Sequence, residues 1–407
     1  MIPIAPFVTA RLPRILFGAG SIANVAAEAG SFGKRALVIT GERSFRAGPH
    51  WEPLLESLAR AGIAWQDLAI AGEPSPETID AAVDRFRDQG IAVVIGIGGG
   101  STLDAAKAIA GLLPHRHSVM EHLEGIGPER PYHGPSIPLI AVPTTAGTGS
   151  EATKNAVLSR IGHDGFKKSF RDEALIARAA IVDPDLLATC PQAIVAANGM
   201  DAFTQLLESY TSTKANVLTD ALAWSGLQAF AESFFPAWAG DDRAAAGRSG
   251  LAYAALISGI CLAQTGLGAV HGLASPLGAY FPIPHGVCCG TLVAAATEAN
   301  IRALKARAPD SPALAKYAAV GELIAGASGL GQGGLGQGGL GRDGGVHTLI
   351  ETLARWTERL ALPRLAAFGV ARADVERLIA GSRGSSMRTN PIVLTDEEVG
   401  TIVMTRL

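Results

Sequence analysis

The chain has 407 residues, 48% of them hydrophobic and 17% charged, with 49 glycines. That composition describes a densely packed α/β protein long enough for two domains with separate cores, and it excludes a disordered chain. A formal net charge of −3 gives no general attraction to nucleic acid or acidic membranes, so neither is an expected partner.

In chain order, three apolar runs rich in β-branched residues read as strands, Ala36–Thr40, Ile91–Ile95 and Pro138–Val142, with helix-periodic segments between them at Trp51–Ala61 and Pro76–Gln89. Continuous apolar strands separated by helices imply a parallel sheet covered on both faces. From about Asp185 the texture changes to long Ala- and Leu-rich stretches, which predict helices over Ile194–Tyr210, Asn216–Phe234, Ala244–Thr265 and His347–Ala361. Pro184, within Val182-Asp-Pro-Asp185, disfavours continued regular structure and marks a boundary. An α/β domain is therefore expected over residues 1–185 and an all-helical one over 186–407. Within the latter, residues 329–345 read as a glycine-rich loop: Gly-Leu-Gly-Gln-Gly occurs twice from Gly329, followed by an altered copy. So short a repeat cannot build a solenoid, and a mobile, functionally silent connection between helices is expected.

The N-terminus, Met1-Ile-Pro-Ile-Ala-Pro6, lacks a basic region leading into a long apolar stretch, and apolar stretches elsewhere are interrupted by Gly, Pro or charge. No secretory signal and no membrane span are expected. Cys190, Cys261, Cys288 and Cys289 have no Cys-x-x-Cys spacing and include a vicinal pair ill-suited to an ordinary bridge, which suggests reduced thiols and a cytoplasmic protein.

Three constellations carry chemistry. The strand Ile91–Ile95 runs into Gly96-Ile-Gly-Gly-Gly-Ser101 and then into good helix formers through Ala110. A strand, a glycine turn and a helix N-terminus present unpaired N–H groups and a positive dipole end to a pyrophosphate. Because Ser101 occupies the third glycine position of the usual fingerprint, an ordinary tight turn would look the same. The second loop, Pro143-Thr-Thr-Ala-Gly-Thr-Gly-Ser150, packs four hydroxyls and two glycines into seven residues, a polar lining suited to a nucleotide. Loops after strands of one parallel sheet share an edge, the usual ligand crevice. Third, Asp201 and Gln205 stand four apart in Asn198–Glu208, with His271-Gly-Leu-Ala-Ser275 and Pro284-His285-Gly286 farther on. An i, i+4 pair and two histidines can complete a metal site; a helix-end Asp and hydrogen-bonded interior histidines would look alike.

Together these motifs resemble the iron-containing (group III) alcohol dehydrogenase family. The likeness extends through Pro13–Ser21, Gly98–Lys107, Pro143–Glu151, Val182–Pro184, Asn198–Tyr210, His271–Gly286 and Arg388–Pro391. It implies a Rossmann-like dinucleotide-binding α/β domain, an all-α C-terminal domain of the dehydroquinate synthase-like fold, and an active site between them. By the resemblance, Gly98, Gly99, Gly100 and Ser101 hold the pyrophosphate with Asp104 beside them, Thr144, Thr145 and Thr148 line the nucleotide, and Asn155 and Lys167 lie nearby. The metal ligands it implies are Asp201, His271 and His285, with Gln205 standing where the family has a histidine. Ser275 replaces a further histidine facing the substrate in many members, so proton delivery runs through water, the ribose hydroxyl or Ser275.

The activity implied is NAD(P)-dependent interconversion of a small alcohol and its aldehyde or ketone, assisted by Fe²⁺ or Zn²⁺, in a homodimer. A carbonyl oxygen from Gln205 is a weaker donor than imidazole. The alternatives are therefore a metal-independent reductase resembling the maleylacetate reductases and a non-catalytic nucleotide-binding relative. Where NAD-preferring relatives often place an Asp after the first sheet strand, this chain has Gly41, with Arg43 and Arg46 close behind, so NADPH is favoured.

Overall fold

The computed structural model describes residues 4–327 and 341–407. It divides into two compact units, Thr9–Ile161 with Gly165–Pro191, and Gln192–Leu407 with Gly162–Asp164 and the residues up to Val8. The boundary expected at 185–186 falls inside a short helical turn, Pro184–Leu187, whose Leu186 packs into the core of the first unit.

The first unit contains β1 (Arg14–Phe17), α1 (Val25–Gly30), β2 (Arg35–Gly41), α2 (Trp51–Arg60), β3 (Ala64–Ile70), α3 (Pro76–Phe86), β4 (Val93–Gly98), α4 (Gly100–Leu112), β5 (Leu139–Pro143), β6 (Asn155–Arg160), β7 (Phe166–Arg171) and β8 (Ala179–Val182). Six strands form a sheet in the order β1-β8-β5-β4-β2-β3, every neighbouring pair parallel, while β6 and β7 form a separate antiparallel hairpin. Alternation along the strands sorts the core onto two faces. Val38, Val93, Ile95 and Ile97 join one cluster, and Leu37, Ile39 and Val94 join the other with Ala105, Ala106 and Ile109 of α4. At Gly96 a Cβ would stand 2.7 Å from the Cβ of Ala106, so glycine is what lets α4 lie this close to the sheet. Strand order reverses between β2 and β4, and the β4–α4 turn emerges at that point. Asp183 ties the strand ends together: its carboxylate accepts from the N–H groups of Gly20 (3.1 Å) and Ile22 (3.0 Å) after β1.

Among the described residues the second unit contains no strand. Its helices are α5 (Gln192–Thr211), α6 (Val217–Ala239), α7 (Ala244–Thr265), α8 (Ala269–Tyr280), α9 (His285–Arg307), α10 (Pro312–Ala327), α11 (Gly341–Arg359), α12 (Val375–Ser382) and α13 (Asp396–Thr405). Helix α5 packs against α6, α7 and α9 and is the element around which the site is built. Helix α7 is long and apolar enough to cross a membrane by length and composition, which the reading of interrupted apolar stretches did not anticipate; most of it is buried against neighbouring helices. Of the glycine-rich loop expected over 329–345, residues 329–340 lie outside the described residues, and Gly341–Gly345 are the first turn of α11. Asp343 in that turn suits the helix N-terminus and pairs with Lys305 of α9 at 2.7 Å.

Candidate functional site

In the helical unit, Asp201, Gln205 and Glu208 occupy α5 at i, i+4 and i+7, one face of the helix, and all three are buried. His271 lies on the first turn of α8, and His285 opens α9. Helix α8 starts where it does because side chains supply its first acceptors. Asn390 Oδ1 takes the N–H of Ala269 (3.0 Å) and Glu208 Oε1 that of Val270 (2.7 Å). A Cβ at Gly268 would stand 2.9 Å from Glu208 Oε1, so the close approach depends on glycine there.

Glu208 also fixes His271. Its Oε2 stands 2.7 Å from His271 Nδ1, which therefore carries a proton and directs Nε2 at Asp201 Oδ1, 3.2 Å away. His285 Nε2 lies 3.7 Å from the same oxygen. Cys289, one turn beyond His285 on α9, places Sγ 3.6 Å from His271 Nε2 and 3.8 Å from His285 Nε2. One ligand atom each from Asp201, His271, His285 and Cys289 thus falls within 4.8 Å of the others. Burial alone would raise the Asp201 carboxyl, but the imidazoles of His285 and His271 hold it down at about 2. Burial disfavours the His271 imidazolium, yet Cys289 and the Glu208 and Asp201 carboxylates raise it well above its ordinary value. Burial pushes the Cys289 thiol up to about 12. Asp201 Oδ2 is buried without a hydrogen-bond partner, a costly state for a carboxylate oxygen unless a cation takes it. A divalent ion fits this donor set.

Gln205, expected as a ligand, directs its side-chain amide at the Ser258 hydroxyl (2.8 Å), which also stands 2.7 Å from the Ala255 carbonyl oxygen. Ser275 is partly buried one turn after His271 on α8.

In the sheet unit, Gly98 ends β4 and Gly99 precedes α4 with extended backbone (φ −75°, ψ −177°) and no side-chain cap, leaving the first N–H groups of the helix to another acceptor. The threonine loop lies against this turn: Thr144 N–H donates to Gly98 O (3.0 Å), and a Cβ at Gly100 would stand 2.7 Å from Thr148 Cγ2. Gly41, at the end of β2, is equally near, since its Cβ would lie 3.7 Å from Thr102 Oγ1. The structure thus brings Gly41, Gly98–Ser101 and Thr144–Thr148 together. Asp104 serves the scaffold beneath them, accepting from Ser150 Oγ (2.6 Å) and Val157 N–H (3.2 Å) and pairing with buried Lys107 (3.3 Å). Lys107 donates to Thr153 Oγ1 (2.9 Å) and to the carbonyl of Asn155. Lys167 is in the β6–β7 hairpin, paired with Glu73 at 2.6 Å.

Residues 13–184 match the family model of the iron-containing alcohol dehydrogenases, and residues 195–407 match that of the C-terminal part of the Fe-containing alcohol dehydrogenase family. The chain belongs to the iron-containing alcohol dehydrogenase family. It is 32% identical over 299 residues to the choline dehydrogenase of Bacillus subtilis (strain 168), covering 72% of this chain and 73% of that one. It is 28% identical over 403 residues to the NAD-dependent methanol dehydrogenase of Bacillus methanolicus, covering 97% and 98%. The crystal structure of a 1,3-propanediol oxidoreductase superposes with a TM-score of 0.86 at 26% identity, over 99% of this chain and 100% of that one. The enzyme is accordingly an oxidoreductase of alcohols and carbonyl compounds, with the parallel sheet and helical half expected of it.

Two residues of this dehydrogenase's site escaped sequence reasoning. Glu208 is seven residues after Asp201, a spacing that returns to the same helix face and was available as a signal. Cys289 stands four after His285, but that spacing acquires meaning only once the segment is known to be helical.

Proposed function

We propose that the enzyme interconverts a small alcohol and its aldehyde or ketone using a nicotinamide dinucleotide bound by the first unit and a divalent ion held in the second by Asp201, His271 and His285. The observation that carries this reading is the convergence of Asp201 Oδ1 and the two imidazole Nε2 atoms, with Asp201 Oδ2 left for a cation. When bound, the nicotinamide takes or gives the hydride and the metal ion acts as a Lewis acid on the substrate oxygen. The chain's own part is to orient and neutralise. Glu208 holds the His271 ring so that Nε2 presents its lone pair, and Asp201 supplies negative charge from a buried position where it is strongly felt. Ser275, on the same face of α8 as His271, is the hydroxyl proposed to relay the alcohol proton.

On the first unit, Gly98–Ser101 receive the pyrophosphate and Thr144, Thr145 and Thr148 line the nucleotide; Asp104 and Asn155 support that loop through Lys107. Both NADH and NADPH serve in this proposal, with NADPH favoured. Its support is Gly41 in place of a carboxylate and exposed Arg43, because Arg46 is committed to Asp67 (2.7 Å) and stacked on Trp51. The NAD-dependent relative supports the dinucleotide itself. A cytoplasmic homodimer completes the proposal, supported by four free cysteines and by edge strand β1, which exposes Ile15 and Phe17.

The test is an aldehyde panel assayed by nicotinamide oxidation with both cofactors, alongside metal analysis and nucleotide calorimetry. Metal-dependent turnover supports the reading. Nucleotide binding without turnover on any aldehyde, in metal-loaded protein, overturns it in favour of a non-catalytic relative.

A further inference from the structure

The geometry points to the Cys289 thiolate, and not the Gln205 amide, as the fourth ligand of the metal, giving an Asp–His–His–Cys set that selects zinc over iron. This rests on the reading of the site as a metal centre and goes beyond it in naming the ligand and the metal. Bonds of about 2.0–2.1 Å to nitrogen or oxygen and about 2.3 Å to sulfur span tetrahedral edges of about 3.3–3.6 Å. The donor atoms here stand at 3.2 Å (His271 Nε2 to Asp201 Oδ1), 3.7 Å (His285 Nε2 to Asp201 Oδ1), 3.6 Å (Cys289 Sγ to His271 Nε2) and 3.8 Å (Cys289 Sγ to His285 Nε2). Each of these four is within a few tenths of an ångström of such an edge, and all the donor atoms lie within 4.8 Å of one another, so side-chain adjustment closes them around an ion.

The backbone explains why the sulfur is there. His285 and Cys289 are i and i+4 in the first two turns of α9, so both project from one face toward α5. A Cβ at Gly286 would meet the carbonyl oxygen of Ala197 at 2.7 Å, and glycine there lets α9 lie against α5 closely enough for that face to reach Asp201. Gln205 shares the face of Asp201, but its side-chain amide is turned to the Ser258 hydroxyl, 2.8 Å away.

On binding, the sulfur–metal bond forms as the thiol proton leaves to solvent, and the ion's two positive charges are matched by its own two anionic ligands, Asp201 and Cys289. Thiolate with imidazole and one carboxylate is a donor set suited to tetrahedral zinc.

X-ray absorption at the zinc edge of the zinc-loaded wild-type protein tests this without any substitution. One sulfur scatterer at about 2.3 Å is expected. Cobalt-loaded protein should show a near-ultraviolet sulfur-to-cobalt charge-transfer band that Cys289→Ser loses and that Gln205→Ala and Cys288→Ser keep, and wild type offered Zn²⁺ and Fe²⁺ together anaerobically should prefer zinc by a larger factor than Cys289→Ser does. A shell of nitrogen and oxygen alone, with metal bound, overturns the thiolate and leaves the metal centre standing. Protein that takes up neither zinc nor cobalt overturns the metal centre itself.

Discussion

Replacing Glu208 by Gln isolates the control of the His271 tautomer. The carboxylate accepts two buried N–H groups, from Val270 and from His271 Nδ1, both at 2.7 Å. An amide has only one oxygen. If it faces Val270, its NH₂ group confronts Nδ1, so the ring must carry its proton on Nε2, the atom aimed at Asp201. If it faces His271, the N–H of Val270 loses its acceptor. Metal binding through Nε2 then leaves one buried N–H unsatisfied in either arrangement, at a cost of about 1–3 kcal/mol. With tenfold for each 1.4 kcal/mol, and consistent with changes at carboxylates that support metal-bound histidines, zinc affinity should fall about 10–100-fold. Competition against a chelating dye measures it, with circular dichroism confirming that α8 persists. Unchanged affinity in a folded variant would refute the claim that Glu208 sets the ring.

Gly99→Val should fold normally, because φ there is ordinary and a Cβ would be 3.4 Å from Thr145 Oγ1, yet lose dinucleotide binding in calorimetry; Gly98→Ala, whose Cβ would fall 2.6 Å from Thr102 Cβ, should instead lose about 1–3 kcal/mol of stability. Burial raises the Glu151 carboxyl to about 7 from 4.5, against the pull of Lys107, so the native state holds a proton that the unfolded chain has already lost between those values. The Glu151 contribution to stability should therefore be fully present below pH 4.5 and decline by roughly 3 kcal/mol between there and pH 7, and Glu151→Gln should flatten that part of a denaturation-versus-pH curve. Gly321→Ala, whose Cβ would stand 2.0 Å from the carbonyl oxygen of Gly345, should separate α10 from α11 and lower the melting temperature, while leaving metal affinity unchanged.

The central strands were legible because they are buried on both faces: β2, β4 and β5 read as continuous apolar runs. Strand β3, at the sheet edge, mixes polar and apolar residues (Ala64-Trp-Gln-Asp-Leu-Ala-Ile70), and β7 carries Lys167 and Lys168, so neither announces itself. Helices α5 and α7 followed from composition, whereas α8 and α9 are preceded directly by Gly268 and Pro284 and α8 contains Pro276, punctuation that reads as loop. What makes α8 a helix is tertiary: Glu208 and Asn390, distant in sequence, satisfy its first N–H groups. The site followed the same division. Asp201, His271 and His285 were recognisable as residue types in a family pattern, and the two glycine and threonine loops as polymer-level features of a parallel sheet. Cys289 was read only as half of a vicinal pair, because its distance from His285 along a helix axis cannot be seen before the helix is.

The most direct test of the account is turnover by the metal-free enzyme. Protein stripped of metal, confirmed folded and still binding dinucleotide, should reduce no aldehyde, and activity should return on adding one divalent ion per chain in wild type but not in His271→Ala. Full turnover by the stripped wild type, or by His271→Ala after the same chelation, would contradict the metal-assisted mechanism.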